Sequence, residues 1–314
     1  MTTAPAAATF SAFAAAWGPR VEQALHALLP PADTPPASLH AAMRYALFPG
    51  GKRLRPLLVL LGARAVGGDP SQALAAAAGL ECLHTYSLVH DDLPCMDDDD
   101  LRRGRPTCHK VHGEALALLA GDALLTLAFE GVALAGPAAV QALARGAGSL
   151  GMVGGQVEDL AAEGDPQHHD LARLQWIHDH KTGALITASL LVGAHCGAGP
   201  GGAPAAVTRP LVRYGDLLGR AFQIADDCLD LTGSADELGK NPLADVALGK
   251  LTWPALMGLE RSLAAAAETA AAAGALAPEI VAAAREFRPA AGTLLDEAGV
   301  LLQDAARQAV QRRR

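Results

Sequence analysis

Two stretches of this 314-residue chain concentrate charge more tightly than a solvated surface requires. The first, HDDLPCMDDDDLRRGRPT from His90 to Thr107, carries four consecutive aspartates, Asp97 to Asp100, followed at once by Arg102 and Arg103. Carboxylates crowded this closely raise one another's pKa unless a cation lies among them. A hard divalent ion is the natural remedy. Magnesium is held by one or two protein carboxylates and by substrate phosphate oxygens, and neighbouring arginines bind the remaining phosphate charge in forked geometry. The second stretch, FQIADDCLD from Phe222 to Asp230, sets Asp226 and Asp230 four residues apart, one turn on one face of a helix. The apolar Phe222, Ile224, Ala225 and Leu229 around them predict an acidic face that looks into a cleft.

A third set is basic: GGKRLRP from Gly50 to Pro56, then Lys181, Lys240, Lys250 and the terminal Arg312, Arg313 and Arg314. Gly50 and Gly51 precede a helix start whose free amides favour an anion, and Lys52 and Arg55, three apart, are predicted to point the same way. That describes a phosphate pocket with no metal ligand in it. His84 stands seven residues before Asp91, close to two full turns, so it shares that helix face and joins the pocket. Singly, each feature has a plainer reading: a solvated acidic loop, an exposed helix start, a satisfied core histidine. Their occurrence together carries the argument.

These groups have to be positioned by helices. Aromatic residues are 4% of the chain and alanine is abundant, which favours close-packed helices over strands. Gly and Pro punctuate helix-length segments at Pro30–Pro36, Gly50, Gly67, Leu93, Gly136, Gly164, Gly197 and Gly239, predicting about ten helices. No composition shift marks a linker, so residues 1–314 read as one all-α domain. Hydrophobic residues at 51% against charged ones at 18% supply a substantial core. A net charge of −8 disfavours nucleic acid and anionic membranes as partners, because both need a basic surface. The five cysteines, Cys82, Cys95, Cys108, Cys196 and Cys228, have neither disulfide nor zinc spacing and fit a reducing cytoplasm. The start lacks the features of a secretory signal. The uncharged stretch from Thr182 to Pro210, broken by Gly197–Pro204, reads as a core helix rather than a membrane span.

The motifs are similar to those of the short-chain trans-prenyl diphosphate synthases. HDDLPCMDDDDLRRGRPT resembles their first aspartate-rich motif and FQIADDCLD their second. GGKRLRP, KTG at Lys181 and GKNPLADVALGKLT at Gly239 match further segments in the expected order. The resemblance implies a single-domain bundle of mostly antiparallel helices around a central cavity, the isoprenoid synthase type, with the acidic motifs facing each other across its mouth. It implies three Mg²⁺ ions, with Mn²⁺ as an alternative, bridging an allylic diphosphate and held by Asp91, Asp92, Asp97, Asp226 and Asp230. It also implies a clamp for that diphosphate from Arg102, Lys181, Gln223, Lys240 and Lys250, and an isopentenyl diphosphate site from Gly51, Lys52, Arg55, His84 and Arg103. Thr182 is similar to the residue whose oxygen faces the developing cation. A homodimer is the family expectation.

Tyr86 and Ser87, five and four residues before Asp91, are predicted to project below the metal site, where a growing prenyl tail must pass. Tyr86 with the inserted Pro94 and Cys95 resembles bacterial farnesyl diphosphate synthases. The expected reaction is condensation of isopentenyl diphosphate with dimethylallyl and geranyl diphosphates to a C15 product. A geranyl or geranylgeranyl diphosphate synthase of the same family, or a non-catalytic prenyl-binding subunit, is the alternative. Leu243 in GKNPLAD replaces the usual Gly, which alters the expectation for the loop carrying Lys240.

Overall fold

The computed structural model describes residues 9–48, 50–163, 165, 167, 169–232 and 251–311. Lys240, Leu243, Lys250 and Arg312 to Arg314 lie outside the described residues. The all-α expectation holds, with twelve helices of eleven residues or more among the described residues. These and their short companions are α1 (Phe10–Leu28), α2 (Ala37–Leu47), α3 (Leu54–Ala65), α4 (Leu74–Asp91), α5 (Cys108–His112), α6 (Glu114–Ala133), α7 (Pro137–Ala147), α8 (Met152–Glu163), α9 (Leu171–Ile177), α10 (Ala184–Ala198), α11 (Ala205–Thr232), α12 (Trp253–Met257), α13 (Leu259–Ala275), α14 (Ala277–Phe287) and α15 (Gly292–Val310). Between α9 and α10 the chain runs as a π-helix, His178–Gly183. The strand pairing found among the described residues is a two-residue antiparallel pair, Leu101–Arg102 with Arg105–Pro106, which folds the end of the first acidic motif back on itself.

Local chemistry explains the helix starts. Thr9 caps α1 by accepting from the Ala12 amide at 3.1 Å, and Asp170 caps α9 by accepting from Arg173 at 2.8 Å. The free Phe10 amide at the start of α1 donates to buried Asp304 on α15 at 2.7 Å, joining the first and last described helices.

Small residues set how closely the helices approach. α3 packs along α10, α4 along α6, and α11 along α13. A Cβ on Gly193 of α10 would lie 1.8 Å from the Val59 carbonyl oxygen on α3, and one on Gly62 2.1 Å from the Leu190 oxygen. Backbone touches backbone along this pair. In the same way α8 reaches the π-helix through Gly155, whose Cβ would meet the Lys181 amide at 2.1 Å, and α11 reaches it through Gly219 against Gly183. Tyr214 on α11, fully buried, donates its hydroxyl to the Leu302 carbonyl at 2.7 Å and ties that helix to α15.

The stretch after Thr182 forms the buried α10, as expected. The helix apolar and long enough to cross a membrane, by length and composition only, is a different one, Glu114–Ala133. It carries Asp122 and Glu130, and its Ala117, Ala120, Leu124 and Ala128 are buried.

Candidate active site

Asp91 is the last residue of α4, and the chain beyond it curls back so that the Asp97 amide donates to the Asp91 carbonyl at 2.8 Å. Asp98 takes a left-handed conformation (φ 52°) in that curl. Burial pushes the Asp91 carboxyl up to about 6. The Lys181 charge opposes the shift, while Asp97 and Asp92 reinforce it. Asp92, 3% exposed, is already occupied, with its Oδ1 taking Arg102 Nε at 2.6 Å and Nη2 at 2.5 Å. Asp92, expected among the metal ligands, thus has one carboxylate oxygen engaged by Arg102 and anchors that cation. Burial works against the Arg102 charge, but the bonds to Asp92 outweigh it and hold the guanidinium firmly protonated.

The basic pocket forms where GGKRLRP meets Arg103. The helix begins at Leu54, with Arg53 as its left-handed N-cap (φ 48°, ψ 36°), so Lys52 stands on the preceding loop. The expected shared helical face for Lys52 and Arg55 is therefore replaced by a loop and a first turn. Arg103, also left-handed (φ 53°), donates Nη1 to the Gly50 carbonyl. A Cβ on Gly51 would lie 2.8 Å from that Nη1, so a side chain there would have to push the guanidinium aside, at a positive φ of 151° that already favours glycine. Among the described residues, Arg53, Asp98 and Arg103 are the non-glycine ones with positive φ, and all fall within the motifs read for chemistry. Each such conformation costs an L-residue about 1–2 kcal/mol. Strain of this kind gathers at functional sites. Burial lowers Arg55 to about 10 against the opposing pull of Glu81 and Asp226, and its Nε has no partner among the described residues. Burial first, then Arg55 and Arg103, hold His84 well below its ordinary value, so it is neutral.

The third wall is the π-helix and α11. Lys181 Nζ lies 2.5 Å from Asp159 on α8. The Thr182 hydroxyl donates to Gln223 Oε1 at 2.9 Å, and Gln223 Nε2 donates to Asp227 at 3.1 Å. The Trp253 amide also donates to Asp227, at 2.9 Å. Burial raises Asp227 to about 7 in spite of those two donors, with Asp226 and Asp230 adding to the rise. Buried His178, 3.5 Å from Asp227, is lowered to about 3, chiefly by burial. Arg220 grips Asp179 through Nε at 3.0 Å and Nη2 at 2.6 Å, fastening α11 to the π-helix.

These contacts link the acidic motifs. Asp91 feels Lys181, whose neighbour Thr182 bonds Gln223 one turn before Asp227, and Asp226 acts on Arg55 in the basic pocket. Among the described residues no three carboxylate, His or Cys groups cage an ion by themselves. Magnesium shared with phosphate oxygens needs only one or two protein carboxylates per ion. The crowding that raises Asp91 is what such an ion relieves, so this donor set fits it.

Tyr86 is 7% exposed, its ring edge-on to His90 at 5.7 Å, while the Ser87 hydroxyl donates back to the His84 carbonyl at 2.9 Å. Of this predicted pair, Tyr86 presents the bulk. Sequence reading passed over Asp159, Glu81, Asp227's amide partner Trp253, and Arg53. For Asp159 a signal existed: Gly154-Gly155 lies one turn before it, which marks a close approach.

Residues 36–285 match the polyprenyl synthetase family model. The chain is 48% identical over 252 residues to geranylgeranyl pyrophosphate synthase 12, chloroplastic, of Arabidopsis thaliana, covering 77% of this chain and 68% of that protein. An FPP/GFPP synthase from Zymomonas mobilis superposes with a TM-score of 0.74 at 36% identity, covering 90% of this chain and 98% of that one. A geranyltransferase from Helicobacter pylori, complexed with magnesium and isoprenyl diphosphate, gives 0.73 at 31% identity, covering 95% and 96%.

Proposed function

The chain belongs to the polyprenyl synthetase family, and from that premise we propose that it condenses isopentenyl diphosphate head-to-tail with dimethylallyl and then geranyl diphosphate. The observation that carries this is that Asp91 lies within the electrostatic reach of Lys181, and Asp226 within that of Arg55, which sets an acidic site beside a basic one. Asp91, Asp97 and Asp226, with Asp230 one turn on, would hold Mg²⁺. When bound, that ion supplies neutralisation of the charge that gathers on departing pyrophosphate.

The chain's own groups do the rest. Arg102, fixed by Asp92, and Lys181, fixed by Asp159, grip the allylic diphosphate. Gln223 orients Thr182 so that a neutral oxygen faces the allylic cation as the carbon–oxygen bond breaks. Gly51, Lys52, Arg55, neutral His84 and Arg103 hold isopentenyl diphosphate, whose alkene attacks that cation, and a proton then leaves to restore the double bond. Pre-set charges that strengthen only as the bond breaks lower the barrier without a covalent intermediate. Lys240 and Lys250 are proposed to complete the allylic clamp. Incubating the protein with dimethylallyl and isopentenyl diphosphates should give prenyl diphosphate only when Mg²⁺ is present. Mg²⁺ binding without turnover would leave a binding subunit instead.

We propose a C15 product, supported by the buried Tyr86 ring on the path of the tail. A C20 product is the second reading, favoured by curated relatives named geranylgeranyl pyrophosphate synthases, of which the chain spans about two thirds. Chromatographic sizing of products decides between them. If the ring is the floor, Tyr86→Ala lengthens the product by at least one isoprene unit, and a variant that still stops where the parent does removes Tyr86 from that role. Five free cysteines support a reducing compartment, and we place the enzyme in the cytoplasm as a homodimer. Sedimentation and fractionation test both.

A further inference from the structure

We infer that Arg53, clasped by Glu81 and Glu22, is a positioning residue for the pocket assigned above to isopentenyl diphosphate, an inference that rests on that assignment. Arg53 is 6% exposed, and its guanidinium is held at every corner. Nε lies 2.6 Å from Glu22 on α1, Nη1 lies 2.7 Å from Glu81 on α4, and Nη2 donates to the Leu47 carbonyl at the end of α2 at 2.9 Å. One side chain thus ties the loop before α3 to three other helices.

Its backbone is left-handed, where glycine sits without strain. Arginine at this position is explained by its side chain, because a glycine would make the bend and lose the three anchors. The bend separates Lys52 on the loop from Arg55 on the first turn of α3, so its angle sets where both point.

Glu81, 3% exposed, gives the arrangement its charge logic. It draws on Arg53, on Arg55 and on Arg103. Three guanidiniums held together repel one another, and a buried carboxylate offsets that repulsion. Arg53, held by Glu22, Glu81 and the Leu47 carbonyl and covered from solvent, takes one oxygen of that carboxylate. Arg55, with an unpartnered Nε, keeps hydrogen-bonding capacity for a diphosphate. Arg53 therefore acts through its neighbours and touches no substrate.

Arg53→Lys keeps the charge but cannot span three partners. We expect its KM for isopentenyl diphosphate to rise about tenfold, with a smaller change in kcat and in KM for the allylic substrate. In the double variant Arg53→Met/Glu81→Met both buried charges are gone, so stability should exceed that of Arg53→Met alone while the KM stays high. An unchanged KM in Arg53→Lys, or a double variant that recovers both Tm and KM, overturns the inference. Should Arg53→Lys not fold, Glu22→Gln, which removes only the partly exposed partner, is read by the same KM. Lys52→Ala separates the two levels. If it leaves the KM for isopentenyl diphosphate alone, the pocket assignment fails and the inference falls with it. If it raises that KM while Arg53 variants do not, only the inference falls.

Discussion

Asp91→Asn is expected to lower kcat by about 10²–10³-fold, and Asp226→Asn to do the same, because each removes a carboxylate proposed to hold the ion that neutralises departing pyrophosphate. The two losses should combine to much less than their product, since both carboxylates serve one leaving group. Asp92→Asn is the informative contrast. Its carboxylate holds Arg102 rather than standing open, so its loss should appear first as weaker allylic binding. Steady-state kinetics at saturating Mg²⁺, varying each diphosphate in turn, resolves the three. Equal and fully additive losses at Asp91 and Asp226 would mean that they work in separate places.

The largest effect on stability belongs to a glycine far from the chemistry. A methyl group on Gly193 would sit 1.8 Å from the Val59 carbonyl oxygen, and the obstacle is backbone on α3, which cannot rotate aside. Both helices are buried along this seam, so relief requires them to separate and uncover Leu58, Leu61 and Leu190. Overpacking in a close-packed core ordinarily costs about 1–3 kcal/mol. With backbone as the obstacle, Gly193→Ala should lie at or beyond about 3 kcal/mol on that scale. Gly274→Ala makes the control. Its Cβ would meet nothing closer than 3.8 Å, in the last turn of α13, so helix propensity alone acts and favours alanine by up to about 1 kcal/mol. Denaturant melts of the two variants should move in opposite directions. A Gly193→Ala protein with a parental midpoint would show that the α3–α10 seam is looser than drawn here.

Much of the candidate site was legible because charge patterning survives without knowledge of packing. Asp91, Asp97, Asp226, Arg102 and Lys181 stand out as charges placed beside apolar helix faces, which a solvated surface does not need. What escaped was the partner of each. Lys181 announces a cation, but Asp159 lies 22 residues away, and Gly154-Gly155 marks only that something approaches α8 closely, not that it is the π-helix. Arg53 hid between Lys52 and Arg55, which read as more useful, because its value comes from Glu22 and Glu81, 31 and 28 positions away. Helix starts were misread by local geometry: the left-handed Arg53 delays α3 to Leu54 and takes Lys52 off its face. Glycine was read as punctuation at turns such as Gly136, whereas Gly62, Gly155 and Gly193 sit inside helices and serve contact distance. Periodicity shows which face is apolar, and small residues on that face show how near its neighbour comes.

The wide-turn segment His178–Gly183 fixes the phase of the helix that follows it. Such segments occur mostly as single wide turns inside α-helices. Each residue turns an α-helix by about 100°, so excising one from this segment would swing everything downstream by that amount. Gly193 would then leave Val59 and a neighbouring residue with a side chain would face it, while Lys181 and Thr182 lost their outlooks together. A one-residue deletion within these six positions should therefore disturb the α3–α10 seam and the Lys181 and Thr182 contacts at once, which no single side-chain change there would do.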